Sequence, residues 1–342
     1  IDIRNQTAMA VPDRYPQSLW SSYASYLNYH YTASPALLIE GGIRYSGFGL
    51  SSDFSRHLQF YPFDFTTSSV KNSAATGSAG LVYTPGNSWK ISLTAATAFR
   101  APNVDDMGKI FDFADGEVIV PNTNLQAEYA YNTELSISKI FANRLKIDAT
   151  AFYTYLDHAM VRRAFRVGNS DSILYNGKMS KVFAIQNAAY GTVAGFNAGF
   201  ELKLPAGLSI SARYNYQKGK EEMDNGTVTP SRHAAPAFGI ARLSYAREKI
   251  KLQLYAAWSD EVSYRGLNEE ERQKPALYAR DQTGMPYSPA WYTLNFKASY
   301  QPVRQVTLSS GVENITDQRY RPYSSGLTAA GRNFIFSVKA DF

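Results

Sequence analysis

The chain has 342 residues, a net charge of +6 and no cysteine, which excludes a disulfide scaffold and any metal site with cysteine ligands. Mean hydropathy is −0.31, and no run approaches the roughly 18 apolar residues of a transmembrane helix. Low hydropathy remains compatible with a membrane barrel, because barrel strands alternate apolar and polar residues. The basic residues are spread along the chain, so we expect no nucleic-acid partner.

Period-two alternation of apolar and polar residues is the dominant pattern, and it predicts strands with one apolar face. In chain order, the predicted strands cover 17–31, 36–48, 73–83, 89–99, 129–141, 145–155, 192–204, 208–217, 237–246, 250–258, 292–300, 306–316 and 334–342. These are about thirteen strands of roughly ten residues or longer, a length that suits tilted membrane strands better than the strands of soluble sandwiches.

The connections between these strands alternate between short and long. Short turns lie at 33–35, 85–88, 142–144, 205–207, 247–249 and 302–304. Long polar loops lie at about 49–72, 101–127, 157–190, 219–235, 261–289 and 320–331. Short turns on one rim and long loops on the other are typical of outer-membrane proteins. The sequence therefore predicts an all-β, antiparallel transmembrane β-barrel in contact with outer-membrane lipid.

The odd number of strands leads to a further prediction. A bacterial single-chain barrel needs an even count, because both chain ends lie on the same side of the membrane. Thirteen strands therefore predict that sequence precedes residue 1, and a miscount by one strand is the alternative.

Three stretches of the sequence stand out as motifs. They are Phe99-Arg100-Ala101-Pro102, then 121–128 with Asn132 and Glu134, and finally 313–320 with Gly331-Arg332 before the closing strand. Together these stretches resemble segments of TonB-dependent receptors. The second stretch departs from the family pattern, since Thr123 and Ala127 stand where proline is usual.

This resemblance implies a 22-stranded barrel in the outer membrane of a Gram-negative bacterium. It also implies an N-terminal plug domain and an energy-coupling segment that engages TonB. Residues 1–342 are then the C-terminal portion of the barrel, without the plug domain. A surface lipoprotein is a further candidate partner. The motif residues Glu313, Asn314, Asp317 and Arg332 are expected to be structural.

The resemblance implies TonB-dependent import of a scarce ligand such as an iron chelate, heme or a corrinoid. A passive porin is the first alternative, and it requires neither plug nor energy coupling. An outer-membrane enzyme is a second, but the sequence shows no nucleophile and base in a suitable pattern. A soluble glycan-binding propeller or sandwich is a third, and it lacks the expected repeats. We therefore predict a protein that is not an enzyme and has no cofactor or metal.

The candidate ligand-binding residues are placed in the long loops, near the strand ends, where a mixed aromatic and basic mouth could hold an anionic chelate. They are Arg100, Asn103, Asp105, Asp112, Phe113, His158, Arg162, Arg163, Tyr264 and Arg265.

Overall fold

The computed structural model describes residues 13–114, 116–223, 225–232, 234–274 and 276–341, with the side chains of 112–114 outside that description. Thirteen long strands form its wall. They are β1 (Gln17–Ser34), β2 (Leu37–Asp53), β3 (Thr67–Tyr83), β4 (Trp89–Arg100), β5 (Glu128–Phe141), β6 (Leu145–Ala164), β7 (Lys178–Lys203), β8 (Leu208–Glu222), β9 (Phe238–Arg247), β10 (Ile250–Ser259), β11 (Trp291–Val303), β12 (Val306–Glu313) and β13 (Asn333–Ala340). The predicted count is confirmed.

Each wall strand pairs antiparallel with the next strand along the chain. Among the described residues, β1 and β13 do not pair, so the sheet is open and matches a partial barrel. No helix in this part of the chain is long and apolar enough to cross a membrane.

An apolar row crosses nine neighbouring strands of the wall. Its members lie directly opposite one another, and they are Phe141, Leu145, Leu202, Ile210, Leu243, Leu254, Phe296, Val312 and Phe334. Several of these side chains are exposed, among them Leu254 at 47%. A continuous exposed apolar band is expected only where lipid covers it.

A polar row runs beside the apolar row, displaced by one residue on each strand. It comprises Lys146, Glu201, Ser211, Arg242, Tyr255 and Asn295. Because successive side chains of a strand point to opposite faces, this row lies on the other face of the sheet. The two rows confirm the amphipathic wall that the alternation predicts.

The short turns at one rim are tight, and Gly207 illustrates the constraint. Its φ is +81°, and a Cβ atom there would lie 2.2 Å from the carbonyl oxygen of Ala246. Only glycine accepts this conformation without strain, so the turn between β7 and β8 depends on it.

Several strands extend beyond the predicted ends. The strand predicted at 145–155 continues to Ala164, and the strand predicted at 192–204 begins at Lys178. The two extensions pair with each other from Ala159–Ala189 to Ala164–Phe183, with register shifts between Asn187 and Gly191. Backbone pairing therefore continues beyond the segments in which apolar and polar residues alternate. In contrast, the strand predicted at 306–316 ends at Glu313.

The long connections contain short elements of their own. These are the strands Phe111–Ala114, Glu117–Ile119, Ser172–Tyr175, Val228–Pro230, Ala279–Arg280 and Pro286–Tyr287, the helices α1 (Val104–Met107) and α2 (Glu269–Arg272), and 3-10 turns at His57–Gln59 and Tyr264–Gly266. One further 3-10 turn, Pro205–Gly207, lies in a short turn on the other rim.

Three of the long loops share a hydrophobic core, which we call the loop core. Its buried residues are Tyr61, Phe63, Ile110, Val118, Val120, Ile173, Val182 and Ala184. Phe63 and Phe65 stack with ring centroids 5.4 Å apart, and Tyr61 stacks on Tyr175 at 5.8 Å. Burial raises the pKa of Tyr61 to about 12. The loops therefore form a packed layer above the wall rather than separate coils.

A second, smaller cluster joins the loop layer to the wall. Met107 of α1 is fully buried against Leu50 of β2, Val70 of β3 and Leu125. This packing positions α1, and with it the carboxylates of its first turn, above the inside of the sheet.

Candidate functional site at the loop end of the wall

A cavity of about 700 Å³ opens at the loop end of β6, β7 and β8. Its charged lining residues are Asp105, Asp106, Lys109, Glu128, Arg162, Glu221, Glu222, Arg232 and Glu270. A cavity of this size with a few convergent polar groups is the usual form of a small-molecule site. We therefore take it as the candidate ligand-binding site.

Arg100 lies beside this cavity and is held by two carboxylates. Its Nε lies 2.6 Å from Glu128 Oε2, and its Nη1 lies 2.7 Å from Asp106 Oδ2. Arg100 and Glu128 are also directly opposite each other in the β4–β5 ladder. The first two family-like stretches are thus joined by one ion pair, which orders the strand ends beneath the cavity.

Asn103 caps α1. Its side-chain oxygen accepts hydrogen bonds from the backbone N–H groups of Asp105 and Asp106, and the Asp106 carboxylate accepts one from the Asn103 N–H. This reciprocal arrangement is a capping box, which satisfies backbone donors at a helix start. Asn103 does not line the cavity, so its observed contacts are structural.

Asp105 lines the cavity and has two partners. The Tyr15 hydroxyl donates to Asp105 Oδ1 at 2.7 Å, and Lys109 Nζ lies 3.1 Å from the same carboxylate. The hydrogen bond from Tyr15, with a further contribution from Lys109, holds the pKa of Asp105 below its usual value. The residue is therefore ionised at neutral pH.

The predicted loop arginines lie on a strand instead. Arg162 and Arg163 belong to the extension of β6, so their placement in a loop is wrong, because that segment pairs with β7. Arg163 Nη2 lies 3.0 Å from Glu222 Oε1, and its Nη1 donates to the Met223 carbonyl oxygen. Arg162 Nη2 lies 3.1 Å from Glu270 Oε1. Both of these arginines thus have a carboxylate partner.

Three further predicted residues, His158, Tyr264 and Arg265, are not among the residues that line the cavity. His158 is also on the β6 extension, with a φ of +55°, and its Nδ1 lies 3.1 Å from Asp157 Oδ2. Tyr264 and Arg265 form the 3-10 turn, where the Arg272 guanidinium lies 4.6 Å from the Tyr264 ring centroid. Their role in ligand binding stays a prediction.

Asp112 and Phe113 lie in the short strand Phe111–Ala114, and their side chains fall outside the described part of the structure. Their predicted part in ligand binding also remains a prediction.

A buried polar cluster connects the loop before β11 to the loop before β13. Glu271 is fully buried, and its carboxylate accepts hydrogen bonds from Lys274 at 2.7 Å, Ser324 at 3.2 Å and the Tyr278 hydroxyl. Burial alone would raise the pKa of Glu271, but these donors hold it below its usual value. Burial and the Glu271 hydrogen bond raise the pKa of Tyr278. The same burial, beside the Glu271 charge, raises the pKa of Tyr323 to about 12.

The third family-like stretch closes the last loop around Asn314, which is buried. Its Nδ2 donates to the carbonyl oxygens of Gln318 and Ala330 at 2.8 and 3.2 Å, while its Oδ1 accepts from the Gln318 N–H. Asp317 Oδ1 accepts from the Arg332 N–H at 2.7 Å. These contacts fit the structural role expected for this stretch.

The lining residues that sequence reasoning missed are mainly acidic. Glu221, Glu222 and Glu270 follow no motif, and Arg232 stands in a loop without regular spacing. The sequence signal that could have found Glu270 is Asn268-Glu269-Glu270, because an asparagine followed by acidic residues favours a helix start. Within the described part, no three histidine or acidic side chains are grouped as a metal site.

A comparison with known proteins identifies the family of this chain. A family model described as "TonB dependent receptor-like, beta-barrel" matches residues 3–315. The chain is 26% identical over 308 residues to hemoglobin-haptoglobin-binding protein A of Haemophilus influenzae, covering 80% of this chain and 28% of that protein. It is 25% identical over 314 residues to hemoglobin-haptoglobin utilization protein B of Neisseria meningitidis, covering 77% of this chain and 37% of that protein.

Solved structures share the fold at low sequence identity. The copper transporter OprC matches with a TM-score of 0.72 and 14% identity, over 95% of this chain and 48% of that one. The FrpB iron transporter of Neisseria meningitidis matches with a TM-score of 0.67 and 16% identity, over 95% and 46% of the respective chains. The chain therefore spans about half the length of these structures and a smaller share of the curated relatives.

Proposed function

From the premise that this chain belongs to the TonB-dependent receptor β-barrel family and lies in the outer membrane of a Gram-negative bacterium, we propose that it serves TonB-dependent import. In this proposal it supplies the C-terminal thirteen strands of a 22-stranded barrel. The plug domain and TonB are its partners, and a scarce ligand such as heme or an iron chelate is its cargo.

The family match over 3–315 is the observation that carries this proposal. The geometry supports it in two ways. The wall has the apolar and polar rows of a membrane barrel, and its loop end holds a cavity large enough for a small chelate. The printed names of the relatives refer to hemoglobin and haptoglobin, so heme released from hemoglobin is the first ligand to test.

The chemistry of this mechanism is binding and displacement rather than bond cleavage. The loop-end cavity would hold the ligand, and force transmitted through TonB would move the plug. A barrel of 22 strands is wide enough to conduct water unless it is filled. In this proposal the plug fills the barrel, and energy is required to move it. The apolar row would contact outer-membrane lipid, and a surface lipoprotein partner stays a prediction.

The deciding experiment is growth of a Gram-negative host that lacks its own heme receptors and carries the full-length receptor. Hemoglobin, hemin or a ferric siderophore is supplied as the sole iron source, with and without a functional TonB. Growth on at least one source that disappears without TonB supports active import. Growth that persists without TonB contradicts the proposal and favours the passive porin.

A further inference from the structure

Two arginines from separate segments converge on one carboxylate at the edge of the loop-end cavity. Arg162 Nη2, from β6, lies 3.1 Å from Glu270 Oε1, and Arg232 Nη1 lies 2.5 Å from Glu270 Oε2. All three residues line the cavity. The two guanidinium groups thus hold the two oxygens of a single carboxylate, one oxygen each.

This arrangement has the form of a receptor for a carboxylate. Guanidinium groups present planar sets of N–H donors that match carboxylate geometry, and charge-assisted hydrogen bonds of this kind are short and directional. The side chains are partly open to solvent, at 17% for Arg162, 42% for Arg232 and 28% for Glu270. A solute that enters the cavity can therefore reach the carboxylate position.

Glu270 is placed so that it can leave without unfolding its loop. It belongs to α2, which has only four residues, whereas the loop is anchored through Asn268, which is fully buried. Asn268 Nδ2 donates to Glu221 Oε1 at 2.8 Å and to Thr229 Oγ1 at 2.9 Å. A partly exposed ion pair contributes modestly to stability, so exchange of its anion is energetically accessible.

We infer that Arg162 and Arg232 form a binding site for a carboxylate group of the imported ligand, and that Glu270 occupies this site until the ligand displaces it. This inference rests on the proposed import function and adds a ligand class to it. Displacement removes one of the contacts that hold α2 above the cavity, so ligand binding loosens the loop before β11.

The test uses the detergent-solubilised full-length receptor and citrate, a tricarboxylate, as the probe. The described chain offers exposed label sites at Ser263, in the loop, and Ala188, on β7. Nitroxide labels on cysteines introduced there report the loop-to-wall distance as citrate is added. Glu270→Gln is the key variant. Glu269→Gln is the matched control, since Glu269 is on the same helix and its carboxylate contacts Thr227.

We expect citrate to change the label distance in the wild type, and Glu270→Gln to show the changed distance without citrate. Equilibrium dialysis with radiolabelled citrate measures binding directly, and the half-saturating citrate concentration should fall about tenfold in Glu270→Gln, because the competing internal carboxylate is gone. Glu269→Gln should resemble the wild type. The double variant Arg162→Gln, Arg232→Gln should lose the citrate response.

Two results would overturn the inference. One is a half-saturating concentration in Glu270→Gln within twofold of the wild type. The other is no binding of radiolabelled citrate to either protein, up to high citrate concentrations. Because these measurements need no TonB, they separate the two proposals. TonB-dependent growth without a citrate effect would contradict only the proposed carboxylate site. A citrate effect without TonB-dependent growth would contradict only the proposed import function.

Discussion

The wall and the loop layer are built by different rules. In the wall, whether a residue is odd or even along its strand decides the face of the sheet on which its side chain lies. Leu254 therefore faces outward, and its neighbour Gln253 faces inward. In the loop layer, position along the chain says little. Val118 and Ile173 are 55 residues apart in the numbering, yet they share one core. Regular backbone makes the wall predictable, whereas the loop layer depends on contacts between distant segments.

The largest expected effect is on the lipid face of the wall. Leu254→Arg should destabilise the barrel by about 2–4 kcal/mol, because it places a charge near the middle of the lipid layer. Gln253→Arg is the matched control, since it places the same side chain on the opposite face. Unfolding of the full receptor in lipid vesicles by denaturant measures both. Equal destabilisation by the two variants would contradict the assignment of the faces.

The loop core should respond to loss of a buried side chain. Ile173 is 4% exposed, and its neighbour Leu174 is 59% exposed. Ile173→Ala should destabilise the loop layer locally by about 2–3 kcal/mol, whereas Leu174→Ala should change its stability by less than about 0.5 kcal/mol. Hydrogen exchange of residues 110–120 reports this difference. If both variants exchange alike, the loops do not share a core.

The Arg100 ion pairs connect the two regions, and their loss should have an intermediate effect. Arg100→Gln leaves the carboxylates of Glu128 and Asp106 without their shared cation, and we expect a loss of about 1–2 kcal/mol. Arg247→Gln, at a short turn on the other rim, is the control. Denaturant unfolding measures both variants. Wild-type stability in Arg100→Gln would show that the motif arginine is not structural.

The smallest expected effect is a pH dependence of the last two long loops. The pKa of Glu271 is lowered in the folded protein, so its contribution is present above its ordinary value of 4.5 and is lost as the pH falls through the lower folded value. The protection of residues 320–331 against hydrogen exchange, relative to the intrinsic rate at each pH, should therefore decrease below about pH 4.5. In Glu271→Gln, this acid step should be absent. An unchanged acid step in that variant would assign it to other groups.

The sequence by itself determined the wall. Alternation gave the thirteen strands and the two faces, because lipid on one side and a polar interior on the other impose a period of two. The lengths of the connections distinguished the two rims, because short turns lie on one rim and long loops on the other. The family-like stretches identified Arg100 and Asn314, although their structural contacts became visible only with the fold. Strand ends were misjudged at 155 and 192, since pairing above the lipid needs no apolar face.

Only the tertiary structure determined which residues come together at the candidate site. Arg162, Arg232 and Glu270 come from three segments, and no local pattern relates residues that are 108 positions apart. From the sequence, Arg162 and Arg163 were expected to be basic groups of a loop mouth, whereas in the fold each has a carboxylate partner. Charge pairing between loops depends on where the strands bring them, because long-range electrostatic contacts leave no periodic signal in the chain.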